Sequence, residues 1–155
     1  MCSDFLSSLA DIAPTFVILG NHDGNLKNTG RLDALTPIVE ALQHPDLHLL
    51  KDSQEVYLRD GFALNVLSVF DEEGWDDPSN YDNINIALYH GSISNCQTDS
   101  GWVMENGEHE VGIFEEFDYA FLGDIHKAQA MDRAGKVRYP GSTIQQGRSY
   151  SYCIQ

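Results

Sequence analysis

Five short apolar runs, rich in branched and aromatic side chains and bounded by Gly, Asn, Asp or Pro, predict a layered domain of the α/β or α+β class. Two further observations agree with it. Few stretches carry helix signals, and no internal repeat, low-complexity tract or Pro/Gly/Ser-rich linker divides the chain. With 155 residues, 42% hydrophobic and 10% aromatic, there is material for one core and too little for two ordinary domains.

In chain order, residues 3–9 read as the tail of a helix that stops before Pro14. Residues 16–19 form the first strand. Thr36 and Pro37 read as an N-cap and N1 pair opening a helix over 38–43. Strands follow at 47–50, 62–69, 84–89 and 119–122. The runs at 62–69 and 84–89 are apolar on both faces, as in central strands covered on both sides. Near the end, 128–131 and 136–139 flank Asp132-Arg133-Ala134-Gly135 and predict a hairpin. The chain opens part-way into a helix, where an α/β domain more often opens with a strand, and truncation is expected on that ground.

Charge is strongly unbalanced. Nine Lys+Arg against 24 Asp+Glu give a formal net charge of −15, which on composition alone disfavours a nucleic-acid-binding module. The imbalance is local, however. Nothing between Arg59 and Lys127 is Lys or Arg, and that gap holds 15 acidic residues, from Asp60 through Glu72, Glu73, Asp76 and Asp77 to Asp124. The rest of the chain is neutral, with 9 acids and 9 bases. Five bases (Lys127, Arg133, Lys136, Arg138, Arg148) crowd the last 29 residues, beside Asp124 and His126. Most of the acids are expected on a solvated face turned away from any polyanion. Cys2, Cys96 and Cys153 have no ligand spacing and read as thiols of a reducing compartment. No signal peptide or membrane span is discernible, and a cytoplasmic protein with no membrane partner is expected.

Three strand ends are followed by metal-capable side chains. After 16–19 comes Gly20-Asn21-His22-Asp23-Gly24; after 86–89 comes His90-Gly91; after 119–122 comes Gly123-Asp124-Ile125-His126. Sites in layered α/β folds assemble at the C-terminal ends of strands, where loops converge on one edge. Asn oxygen, His imidazole and Asp carboxylate suit Mn²⁺, Fe²⁺ or Zn²⁺. The neighbouring glycines permit close approach of backbone and substrate phosphate. His44, His48 and His109 lack such a setting and read as surface residues.

These blocks resemble the calcineurin-like metallophosphoesterases, whose signature runs D-x-H, G-D-x-x-D, G-N-H-[DE], a later His and G-H-x-H. Gly20–Asp23 matches the third block, His90 the fourth, and Gly123–His126 the fifth with Asp124 replacing its first His. The run Phe117-Asp118-Tyr119-Ala120-Phe121-Leu122-Gly123-Asp124-Ile125-His126-Lys127, followed by Arg138-Tyr139-Pro140-Gly141-Ser142-Thr143-Ile144-Gln145-Gln146, is most similar to SbcD-like nuclease subunits of double-strand-break repair and to phage recombination endonuclease subunits. The likeness spans about residues 16–146.

The resemblance implies a layered αββα sandwich, incomplete at both ends, and a hydrolase that cleaves DNA as an exo- or endonuclease in repair and recombination. It implies a two-metal site, Mn²⁺ foremost, with Mg²⁺, Fe²⁺ or Zn²⁺ as alternatives. Asn21, His90 and Asp124 would hold one ion and His126 would help hold the other. His22 would contact the scissile phosphate and Asp23 would orient His22. Lys127 and Arg138 would meet the DNA. The implied partners are DNA, an SbcC-like coiled-coil ATPase and a second copy in the full-length protein, in a bacterial cell or phage-infected host. The D-x-H and G-D-x-x-D blocks are absent before Gly20, and residues 147–155 do not continue into the family's capping domain. The chain is therefore expected to be an internal piece with little activity alone. The alternatives are another calcineurin-like phosphatase or phosphodiesterase, or a non-catalytic remnant of the fold.

Overall fold

The computed structural model describes residues 2–25 and 33–142. Its elements are α1 (Cys2–Ala10), β1 (Thr15–Ile18), α2 (Thr36–Leu42), β2 (Leu47–Leu50), β3 (Gln54–Tyr57), β4 (Phe62–Leu67), β5 (Ile84–His90), β6 (Cys96–Gln97), β7 (Val103–Met104), β8 (Tyr119–Gly123), β9 (Gln129–Ala130) and β10 (Val137–Tyr139). The class is mixed α/β. Thr143, Ile144, Gln145, Gln146, Arg148, Cys153 and the stretch 147–155 lie outside the described residues.

Six strands form one sheet in the order β3-β4-β5-β8-β10-β9. The inner four, β4, β5, β8 and β10, are mutually parallel, and β3 and β9 close the two edges antiparallel. Parallel strands need both faces shielded, and β4 is buried along its length after Phe62. One face carries the main core: Leu67, Ala87, Tyr89, Ala120, Leu122, Val137 and Tyr139 pack with Ile93, Cys96, Phe114, Phe117 and Ile125. The opposite face is less covered. Phe62 pairs in register with Ile84, Ile86 with Tyr119 and Leu88 with Phe121, and Phe62, Ile84, Tyr119 and Phe121 remain 37–46% exposed.

A separate parallel pair joins β1 to β2. Leu6 and Ala10 of α1 and Leu47 of β2 form a second small core with Val17, Ile38, Val39 and Leu42. β1 adjoins β5, which brings the two sheets together near the end of β1. β6 and β7 make a short hairpin. The hairpin expected at 132–135 is present between β9 and β10, with Gly135 at φ +72° donating to the Asp132 carbonyl.

Several expectations are corrected. Thr36 is not the cap of α2 but its first helical residue; the cap position is Leu35, and the capping side chain is Asp33. Asp33 Oδ1 accepts from the Leu35 and Thr36 amides (2.9 and 2.6 Å) and Oδ2 from the Thr36 hydroxyl (2.7 Å). Carboxylate acceptance of the first free helix amides is what a cap does, and it reaches here from outside the expected pair. The strand expected over 62–69 stops at Leu67, because the Ser68 hydroxyl turns to the Lys51 carbonyl (2.6 Å). β3 was not foreseen, since Gln54-Glu55-Val56-Tyr57 offers one aliphatic residue on a half-exposed edge. The three histidines taken as surface residues are half-buried. His48 stacks on Phe16 (centroids 5.0 Å apart), His109 packs on Trp75 and Tyr89, and His44 bonds Asp11 at 3.2 Å.

Cys2 and Cys96 are free thiols. Of the 15 acids in the middle segment, Glu72, Glu73, Asp76, Asp77, Asp82, Asp99, Glu105 and Glu110 are among those exposed. Among the described residues, no helix is long and apolar enough to cross a membrane.

Candidate functional site

The ends of β5, β8 and β10 fall on one edge of the six-stranded sheet, as parallel strands require, and the turn after β1 meets them there. His90 at the end of β5 pairs in register with Gly123 at the end of β8. A cavity of about 280 Å³ opens at this edge, lined by Gly20, His22, Asp23, His90, Asp124 and His126 and by the turn after β10, Pro140, Gly141 and Ser142. All three blocks singled out in the sequence thus reach one place.

The glycines make room for His90 itself. A Cβ on Gly20 would lie 2.7 Å from His90 Cε1 and Nε2, and one on Gly123 would lie 2.5 Å from Nδ1. Contacts that short are incompatible with any side chain unless the imidazole moves. The close approach read into these glycines for a phosphate is therefore, first, a slot for the His90 ring. Burial lowers the pKa of His90 below its ordinary value, although the carboxylates of Asp124 and Asp23 push the other way. The ring is neutral at neutral pH and keeps a lone pair to offer.

Asp124 has φ +85°, a left-handed conformation at a residue other than glycine. Asp tolerates that region better than most residues, and such strain concentrates at functional sites. The kink leaves Asp124 Oδ1 3.7 Å from His90 Nε2. That is beyond a hydrogen bond and near the ~3.4 Å separating two donors about 2.1 Å from a shared tetrahedral ion. Ile125 is buried, and His126 beyond it is exposed on the cavity wall. The Ser142 amide donates to the His126 carbonyl (3.2 Å), tying the turn after β10 to the His126 backbone.

On the other wall, the Asp23 amide donates to the Gly20 carbonyl (2.9 Å) and Asp23 Oδ2 accepts from the Gly20 amide (2.8 Å). This pair closes the turn that presents Asn21 and His22. The carboxylate expected to orient His22 is thus turned back on Gly20, because the turn places it over that amide. His22 is exposed at the rim. Asn21 Oδ1 is buried and has no hydrogen-bond partner. A buried polar atom without a partner costs about 1–3 kcal/mol; Asn21 itself is not part of the cavity lining, although Gly20 and His22 on either side of it are.

The two basic residues expected to meet DNA stand apart from the cavity lining. Lys127 Nζ donates to Gln97 Oε1 of β6, while Gln129 brackets the Gln97 backbone through its Oε1 and Nε2 (both 2.8 Å). Arg138 is exposed on β10, in register with Phe121 on the open face. The sequence assigns no site role to Glu108, nor to Tyr139, Gly141 and Ser142, which enter there only within the run that carries the resemblance. Tyr139 and Glu108 hold the loop after His90: the Tyr139 hydroxyl bonds Gly91 and Ile93, and Glu108 Oε2 accepts from the Ser92 amide (2.9 Å). Only Gly141, at φ +87° beside a strand end, carried a local signal in the sequence.

The donors at the cavity fit part of one ion's shell: a neutral imidazole and a carboxylate 3.7 Å from it. Among the described residues, no group of three or more His, Cys, Asp or Glu is gathered closely enough to hold a metal.

No family model matches the chain. It is 40% identical over 155 residues to an uncharacterized protein of Acanthamoeba polyphaga mimivirus, an alignment that takes in 93% of this chain and 11% of the relative. The chain thus spans 11% of the length of the relative it matches.

Proposed function

We propose that the chain is part of a metal-dependent phosphodiesterase of the calcineurin-like kind, a DNA nuclease subunit acting in recombination or repair. One observation carries the reading: Gly20, His22 and Asp23, then His90, then Gly123–His126, far apart in sequence, line one cavity. His90 and Asp124, with Asn21, would hold an ion such as Mn²⁺, and His126 would serve a second. Bound metal supplies charge neutralisation and a water activated at neutral pH. The chain's own residues do the rest. The glycine slot holds the imidazole, Asp124 Oδ1 lies 3.7 Å from it, and His22, exposed at the rim, would contact a phosphate.

The open face of the six-stranded sheet supports the layered sandwich. Phe62, Ile84, Tyr119 and Phe121 form an apolar surface of the sort that a second, fuller sheet covers. On this reading DNA would be met by Lys127, Arg133 and Lys136 rather than by the middle acids, while Arg138, in register with Phe121 on the open face, would fall under the covering sheet. A coiled-coil ATPase and a second copy remain the proposed partners of the whole protein.

The remnant reading has one specific support, the absence of a three-residue acidic or imidazole cluster among the described residues. Calorimetric titration of the purified chain with Mn²⁺ separates the two. The metal reading expects weak, saturable binding reduced by about tenfold or more in both His90→Ala and Asp124→Ala. No binding, or binding indifferent to both substitutions, favours the remnant. With the missing blocks restored, cleavage of DNA in preference to small phosphoesters distinguishes a nuclease from another phosphatase of the same kind.

A further inference from the structure

Tyr139 is the last residue of β10, is 1% exposed and belongs to the main core. Its hydroxyl accepts a hydrogen bond from the Ile93 amide (2.9 Å) and donates one to the Gly91 carbonyl (2.8 Å). Gly91 directly follows His90, and Pro140, Gly141 and Ser142, which directly follow Tyr139, line the same cavity as His90. A single hydroxyl therefore bridges backbone 46 and 48 residues away in sequence and ties the segment after His90 to the segment that leads into Pro140–Ser142. Gly91 and Ile93 are both buried, so water cannot replace these bonds when the hydroxyl is removed. Burial pushes the phenol pKa up, which keeps the proton needed for donation to Gly91.

We infer that Tyr139 is a positioning residue that holds the His90 imidazole in the slot between Gly20 and Gly123 by latching the backbone on its C-terminal side. The inference rests on the metal-site reading for its function, but not for its geometry. Without the latch, the 91–93 backbone is free to relax, and the imidazole, which has no space to spare against either glycine, leaves the position facing Asp124.

Nuclear magnetic resonance on the full 155-residue chain tests it. In the wild type the Ile93 amide should exchange with deuterium as slowly as that of Ala87 in the middle of β5; exchange at the rate of an open loop overturns the latch without any variant. Tyr139→Phe keeps the ring and removes only the hydroxyl. It should shift or split the His90 ring signals and speed Ile93 exchange, with Mn²⁺ affinity lowered by about tenfold. Val137→Ala, in the same strand and core, should lower the melting temperature yet leave the His90 signals in place. His90 signals unchanged in Tyr139→Phe, or moved equally by Val137→Ala, overturn the inference. If the wild type takes up no Mn²⁺, the metal reading fails, while the ring signals still decide the latch.

Discussion

His90 and Asp124 stand on β5 and just beyond β8, in the middle of a six-stranded sheet whose inner face is sealed by a twelve-residue buried cluster. Asn21 and Asp23 follow β1, one of two strands backed by a cluster with three buried members, Leu6, Ala10 and Leu47. The sheet wall is held by distant partners, Tyr139 and Glu108 among them. The turn wall is held by its own short-range bonds between Asp23 and Gly20. A site divided in this way has one fixed half and one half whose position depends on a small local unit.

Truncating one leucine in each core gives the largest expected effect. Leu122→Ala, 2% exposed in the main cluster, should cost about 4 kcal/mol, and Leu47→Ala, 6% exposed in the small one, about 2 kcal/mol, near the two ends of the usual range for such truncations. Urea unfolding measures both. Equal costs would mean that the β1–β2 unit is as firmly built as the sheet, and the contrast between the walls would be lost.

Asp33 offers an intermediate effect on the small unit. Burial by itself would raise its pKa, but the bond from Lys51 (2.8 Å) and those from Thr36 outweigh this and hold the carboxyl well below the usual range. Asp33→Asn keeps an oxygen for the α2 amides and should therefore cost about 1 kcal/mol at pH 7, through the lost ion pair, with Lys51 half-exposed and its share screened. The depressed pKa sets the sign of the pH dependence. The contribution is complete above the unfolded value of about 3.9 and is lost as pH falls further toward the folded one. Melting curves of wild type and variant should converge below pH 4, and a gap that is constant down to pH 2 would contradict this assignment.

The smallest effect is expected on the open face of the sheet. Phe121→Ala, 46% exposed, should change stability by about 0.5 kcal/mol or less, as a substitution outside a packed core does. A loss of more than about 2 kcal/mol would mean that something covers this face in solution, and sedimentation of wild type and variant would show whether it is a second copy.

How far the molecule was legible in its sequence follows the same division between local and distant contacts. β1, β2, β5 and β8 were readable because buried strands in a layered fold are short branched runs between turn residues. β3 was not, since an edge strand with one aliphatic residue leaves no such trace. The helix over 36–42 was anticipated, but its cap was misplaced, because an Asp three residues ahead of the first helical residue competes poorly with a Thr-Pro pair in a purely local reading. Within the site, Asn21, His90, Asp124 and His126 were visible as polar residues immediately after apolar runs. The slot role of Gly20 and Gly123 depends on a ring 33 or more positions away in the chain, and the Tyr139 latch on contacts across 46 and 48 residues. Spacing along the chain holds no record of either.

The proposed metal site of Asn21, His90 and Asp124 is tested most directly by where Mn²⁺ first acts. Paramagnetic broadening of assigned resonances, followed as substoichiometric Mn²⁺ is added, reads this residue by residue. The signals of Asn21, His90, Asp124 and His126 should broaden first, before those of the exposed acids Glu72, Glu73, Asp76 and Asp77. Broadening that begins at that acidic segment and leaves His90 sharp would show that the metal merely follows the −15 net charge, and would contradict a metal centre at the cavity.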